Sequence, residues 1–185
     1  MQPAEALLSA EEYWQLPDDG QPTELVRGRI VPVNMPTPRH GYICNKVGRI
    51  LGNFAEQHDL GRVMNNDSGV LTEQNPDTVR GADVAYFSYE RVPRGPMPEG
   101  YLRVLPELVV EVRSQTDRWP TIVNKVAEYL RAGVGVVCVL DPQSVLAIVF
   151  YASEQPPRIF TAEDELLLPE VFGEQFRVPV RRFFE

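Results

Sequence analysis

Histidine and cysteine are scarce, with two of each in 185 residues. Cys44 and Cys138 have no second thiol and no histidine at zinc-finger spacing. This excludes a disulfide framework or structural zinc module and makes two buried, reduced thiols the expectation. Long apolar runs are missing too. The longest candidate, the glycine-interrupted stretch 134–140, falls well short of the ~18 residues that span a bilayer. Residues 1–14 carry Glu5, Glu11 and Glu12 where a secretory signal would be basic and then apolar. A cytoplasmic chain without membrane contact is expected. Positive charge is in deficit, since 18 Lys and Arg against 26 Asp and Glu leave a net charge of −8. A broad basic surface that grips nucleic acid by neutralising phosphates is thereby excluded, so any such contact must be local, metal-assisted or transient.

The 43% of apolar residues is enough for one sizeable core, so residues 1–185 are expected to form a single domain. Ser9 followed by Glu12 has capping-box spacing and predicts a short helix ending before Pro17. Residues 24–33 read as a hairpin turning at Arg27-Gly28, ended by the proline-rich stretch 36–38. Over residues 41–58, Ile43, Val47, Ile50, Leu51 and Phe54 fall on one helical face. Residues 61–73 predict two short strands around an Asn65-Asn66-Asp67 turn, and 81–89 another strand. Beyond the loop 92–100 come an apolar strand at 107–113, a helix at 121–131 closed by Gly133, and a buried strand at 135–140. Residues 145–151 and the tail 158–184 add strands, with Pro169 and Pro179 assigned to edges or turns. The expected class is α/β (α+β): a mixed central sheet flanked by helices, with an N-terminal hairpin and C-terminal strands.

Chemistry concentrates on two strands. In the segment 106–114, alternation puts Leu108, Val110 and Val112 on one face and Glu107, Val109, Glu111 and Arg113 on the other. Alone, this could be a polar face with Arg113 pairing Glu111 in solvent. On the preceding strand, however, Asp83 interrupts small and apolar residues. Two carboxylates on neighbouring strands are unfavourable when desolvated unless one is protonated or a cation lies between them. Oxygen-only ligands suit a hard ion such as magnesium, which also engages phosphate oxygens, whereas zinc would want the missing His or Cys cluster.

Residues 80–86 (Arg-Gly-Ala-Asp-Val-Ala-Tyr), 106–118 and 125–133 together resemble the Uma-two family of restriction-endonuclease-like proteins, within the PD-(D/E)XK nuclease superfamily. Residues 24–30 and 38–41 are similar to that family's N-terminal signatures, and the resemblance runs from about Ser9 to the C-terminus. It implies a restriction-endonuclease-like fold and magnesium-dependent phosphodiester cleavage in DNA, with manganese as the alternate ion. It also implies Asp83 and Glu111 as metal ligands, Glu24 as a further ligand or water-orienting group, and two copies pairing to cut both strands. Ala82 stands where the signature has proline, and Arg113 where it has lysine. Arginine stays protonated and cannot readily take a proton from water, so Lys125, on the following helix, is the other candidate for that role. Tyr129, one turn on, could pack along or orient the lysine.

His40 is a candidate for substrate binding or proton transfer, or an ordinary first-turn helix residue. Arg39, Lys46 and Arg49 could form a small phosphate-binding patch, although the last two also lie opposite the apolar stripe. Asp117 could cap the helix at 121–131 or steady Arg118, and His58 is assigned no catalytic part. Two further readings compete: a nuclease-fold binding module without turnover, favoured by Arg113 and the acidic surface, and a metal-free hydrolase with paired carboxylates. The second would need sugar-stacking aromatics, for which Trp119 and the Tyr86-Phe87-Tyr89 cluster are the candidates.

Overall fold

The computed structural model describes residues 6–153 and 155–185. The capping box at Ser9 starts α1 (Ala10–Trp14), Ser9 and Glu12 satisfying one another's backbone donors. The hairpin follows as β1 (Thr23–Val26) and β2 (Arg29–Pro32). Its two-residue turn needs positive φ at both positions, and Arg27 (49°) and Gly28 (74°) supply it.

The helix α2 (Pro38–Gln57) begins three residues before the expected start. The proline at 38 opens the helix because its missing N–H would be unpaired there anyway, and Thr37 caps it by accepting from the His40 N–H. His40 consequently lies in the first turn.

The segment 61–73 is not two strands. It is one long strand, β3 (Gly61–Glu73), whose pairing with β4 (Thr78–Ser88) shifts between Asn65 and Ser68. The residues between, Asn66 and Asp67, have positive φ. The Asn-Asn-Asp turn chemistry is therefore used in a bulge, which bends the strand without ending it.

The remaining sheet strands are β5 (Leu108–Val112), β6 (Val136–Asp141), β7 (Leu146–Tyr151) and β8 (Arg158–Phe160). Between β5 and β6 runs α3 (Trp119–Ala132), closed by Gly133 at φ 115°. The eight-stranded sheet has the order β2-β1-β4-β5-β6-β7-β8, with β3 also on β4. The β5–β6 pair is parallel, as its helical crossover requires, and the other neighbours are antiparallel. At the C-terminus β9 (Glu165–Leu167) pairs with β10 (Arg177–Pro179) in a small second sheet. Between them is the one-turn helix α4 (Pro169–Phe172). Pro169 therefore opens a helix and does not mark a strand edge.

The core lies on both sides of the main sheet. Val84, Tyr86, Leu108, Val110 and Val112 pack with Ile43, Val47 and Leu51 of α2 and with Phe172, Phe176 and Phe183 of the C-terminal segment. On the other face Ala85, Phe87 and Val109 pack with Ile122, Val126 and Tyr129 of α3. Both faces of β5 are covered, so the half-solvated strand suggested by its alternation is in fact buried throughout. The result is a mixed α/β architecture, a large mixed sheet flanked by helices. Among the described residues, no helix is long and apolar enough to cross a membrane.

Candidate active site

The pairing of β4 makes room for the site. β3 runs along one edge of β4, while on the other edge β1 pairs at Val79 and β5 at Val84 to Tyr86. The stretch between these two, holding Gly81 and Asp83, takes side chains in place of a strand. Glu24 Oε1 accepts the Gly81 N–H at 3.0 Å, and Lys125 Nζ donates to the Gly81 carbonyl at 2.9 Å. Asp83 Oδ2 accepts the Val112 N–H at 2.6 Å across the gap to β5. Gly81 fits here partly because a Cβ at that position would come within 3.1 Å of the Asp67 side chain.

Asp83 and Glu111 stand on adjacent strands. The register joins Val84 to Val110, and one residue further it sets Asp83 opposite Glu111. Glu111 lies with Val109 on the face that α3 covers, whereas alternation breaks at Asp83, because Ala82 and Ala85 both pack on the α3 side and the Asp83 carboxylate meets His40 of α2. Both carboxylates are buried, at 7% and 5% exposure. Burial, reinforced by the Asp83 charge, pushes the Glu111 carboxyl up to about 7 against the pull of Lys125.

Lys125 Nζ donates to Glu111 Oε2 at 2.9 Å and lies 3.7 Å from Glu24 Oε1. Burial disfavours its charge, but Glu111, Glu24 and Asp83 outweigh this and hold the ammonium well above the ordinary lysine range. Tyr129 is fully buried, and its hydroxyl donates to Glu111 Oε1 at 3.0 Å. It orients the carboxylate, a role its sequence position did not suggest. Glu24, on β1, accepts from Arg80 Nη1 at 2.8 Å, and Arg80 also grips Glu128 of α3. One acidic and basic lattice therefore ties β1, β4, β5 and α3 together.

His40 Nε2 lies 3.0 Å from Asp83 Oδ1. That hydrogen bond raises the imidazole pKa, burial opposes it, and the charges of Asp83, Asp67 and Asp117 add to the rise. Cys44, one helical turn after His40, completes a cluster with it and Asp83. Sequence reasoning set Cys44 aside as a packed thiol; the His-x-x-x-Cys spacing on one helix face was the available signal.

Other candidates lie elsewhere. Arg113 follows the end of β5 and does not pair with Glu111. Its guanidinium donates to Asp141 Oδ1 at 3.2 Å and to the Asp117 carbonyl at 3.2 Å, and stacks 5.0 Å from the Trp119 ring centre. Asp117 accepts the Ser114 N–H and closes a turn. The N-cap of α3 is Arg118, without a side-chain cap. Arg39 donates to the Pro142 carbonyl, and Lys46 to the Glu185 main-chain oxygen, so these two are drawn off by separate partners. Tyr86 and Phe87 are core residues at 2% and 3% exposure, which removes them as sugar-stacking surfaces. His58 packs on Phe54 at the far end of α2.

The model of the Uma2 family, described as "Putative restriction endonuclease", matches residues 10–181. Among solved structures, the crystal structure of a "putative nuclease belonging to DUF820" from Anabaena variabilis is similar at a TM-score of 0.79 and 17% identity. The match covers 96% of this chain and 97% of that one, and at that identity it speaks to the fold. No curated protein matches.

Proposed function

Since the chain belongs to the Uma2 family of restriction-endonuclease-like proteins, we propose that it is a metal-dependent endonuclease hydrolysing phosphodiester bonds in DNA. One observation carries the reading: two buried carboxylates, Asp83 and Glu111, stand on adjacent strands beside a break in the sheet, with a lysine bonded to Glu111 and within reach of the Asp83 charge. The donor set suits a hard divalent ion, because both groups are carboxylates and their burial leaves excess negative charge that one ammonium does not cancel. Asp83 and Glu111 would hold magnesium or manganese, with Glu24 positioned behind them through Gly81 and Lys125. The chemistry such an ion would supply is a lowered pKa for water and compensation of charge on the phosphate.

The chain's own residues do the rest. Lys125 stays protonated and presents a fixed positive charge where negative charge grows on the attacked phosphate, a form of preorganised stabilisation. Tyr129 holds Glu111 in one orientation, and Val112 does the same for Asp83 through its N–H. His40, hydrogen-bonded to Asp83, would exchange a proton with substrate or water. Arg113 is committed to Asp141, so the lysine of the family signature is assigned to Lys125. That assignment also weakens the reading as a binding module, which leaned on an arginine in the lysine's place.

The test is plasmid and linear DNA incubated with the purified chain, magnesium or manganese, and separately with chelator. Cleavage should require the ion and disappear in Asp83→Asn and Glu111→Gln. Cleavage that persists in chelator or survives Glu111→Gln would end the proposal, and ion binding by calorimetry without any cleavage would favour the binding module.

A further inference from the structure

Cys44 is left without a part in that chemistry, yet it lies beside it. An imidazole nitrogen of His40, the Cys44 Sγ and a carboxylate oxygen of Asp83 all lie within 4.8 Å of one another. The first two are fixed by their spacing on α2, whose first turn is pinned by Thr37 and Pro38. The third is fixed by the Val112 N–H. The ring nitrogen that meets Asp83 is Nε2; the other, Nδ1, is buried without a hydrogen-bond partner among the described residues.

Nitrogen, sulfur and oxygen donors in one cluster make a set for a borderline ion, whereas the Asp83 and Glu111 pair offers only oxygen. We propose that His40, Cys44 and Asp83 form a second cation site, for a divalent transition ion of the zinc class, sharing Asp83 with the oxygen-ligand site. The three ligands by themselves match a divalent ion, because a thiolate and a carboxylate carry two negative charges and the neutral imidazole none, and the neighbouring Asp67 and Glu111 add to the pull on a cation. Binding exchanges the thiol proton for the ion and releases that proton to solvent.

The dimensions agree. Ligand atoms about 2.0–2.3 Å from a tetrahedral ion lie roughly 3.3–3.6 Å apart. The His40 to Asp83 separation of 3.0 Å need open only slightly, and the cluster's 4.8 Å limit leaves little for Cys44 to move. Three protein ligands leave one position open, so the site can take a water or a substrate oxygen. Because Asp83 serves both sites, the two kinds of ion should compete. The site stands on its own geometry and does not require the nuclease reading.

Cobalt(II) is the probe. Added to the full chain, it should produce a thiolate-to-cobalt charge-transfer band and the strong visible absorption of a four-coordinate site, and zinc should bleach both. Cys44→Ser should remove the charge-transfer band, and Cys138→Ser should leave it. In the wild-type chain, which needs no variant to fold, zinc should slow alkylation of Cys44 by at least about tenfold, since a bound thiolate is withdrawn from attack. Glu111→Ala should keep the cobalt spectrum while magnesium-dependent cleavage is lost, so the two proposals can fail separately. A weak, octahedral, oxygen-type cobalt spectrum in the wild-type chain, a charge-transfer band that survives Cys44→Ser, or alkylation indifferent to zinc overturns the proposal.

Discussion

Lys125 and Arg113 are both candidates for one role on sequence grounds, and their partners separate them. Lys125 is held on Glu111 and the Gly81 carbonyl, where it competes with any cation for the same carboxylate. Lys125→Met should therefore leave magnesium binding equal or tighter in calorimetry, while cleavage falls by about a hundredfold or more. Arg113 is the counter-charge of Asp141, which is 1% exposed. Arg113→Ala should cost roughly 2–4 kcal/mol in urea unfolding, because it leaves a buried carboxylate unpaired. Arg113→Lys should retain cleavage. Loss of cleavage in Arg113→Lys together with its survival in Lys125→Met would reverse the assignment. Asp83 and Glu111 stand out in the sequence because they interrupt apolar strands, and the fold buries both. Tyr129 and Cys44 do not, since a buried aromatic and a buried thiol on an amphipathic helix are ordinary core residues until their neighbours are known.

Elements were read best where local chemistry fixes them. The capping box of α1, the turn of the first hairpin and the glycine closing α3 all act within a few residues. Gly133 holds a left-handed φ that ends α3, and Gly133→Ala should lower stability by about 1 kcal/mol in thermal or urea unfolding. The bulge in β3 escaped because turn residues look the same whether the chain reverses or merely bends. Between elements, Arg80 joins β1 and α3 through Glu24 and Glu128. Burial raises the Glu128 pKa, but hydrogen bonds from Arg80 and Thr72 overcome it and leave the carboxyl below its ordinary value. A carboxyl depressed in the folded state adds stability that is present above its unfolded pKa and lost as pH falls through the folded one. Glu128→Gln should accordingly flatten the drop in urea midpoint below about pH 4, and an unchanged pH profile would show that the pair contributes nothing to it.

At the scale of the whole molecule, a net charge of −8 limits how DNA could be held. Arg39 and Lys46 are drawn to other partners, so few phosphates can be neutralised directly. For one or two phosphate contacts, affinity for duplex DNA should fall only about tenfold between roughly 50 and 200 mM salt, against several orders of magnitude for a basic binder. Fluorescence anisotropy at constant magnesium measures this, and a steep salt dependence would point to a basic surface formed only in the complex.

The sequence by itself determined the alternation of strand and helix and the family resemblance, and it picked out two carboxylates inside apolar strands. These depend on periodicity and local turn chemistry, which are properties of neighbours along the chain. Only the tertiary structure decided that Lys125 meets Glu111 while Arg113 turns to Asp141, and that Asp83 stands between Glu111 and the His40–Cys44 turn. Those relations join residues up to 43 positions apart. They follow from where β1 and β5 leave the edge of β4 open, and strand order is set by the packing of the whole sheet.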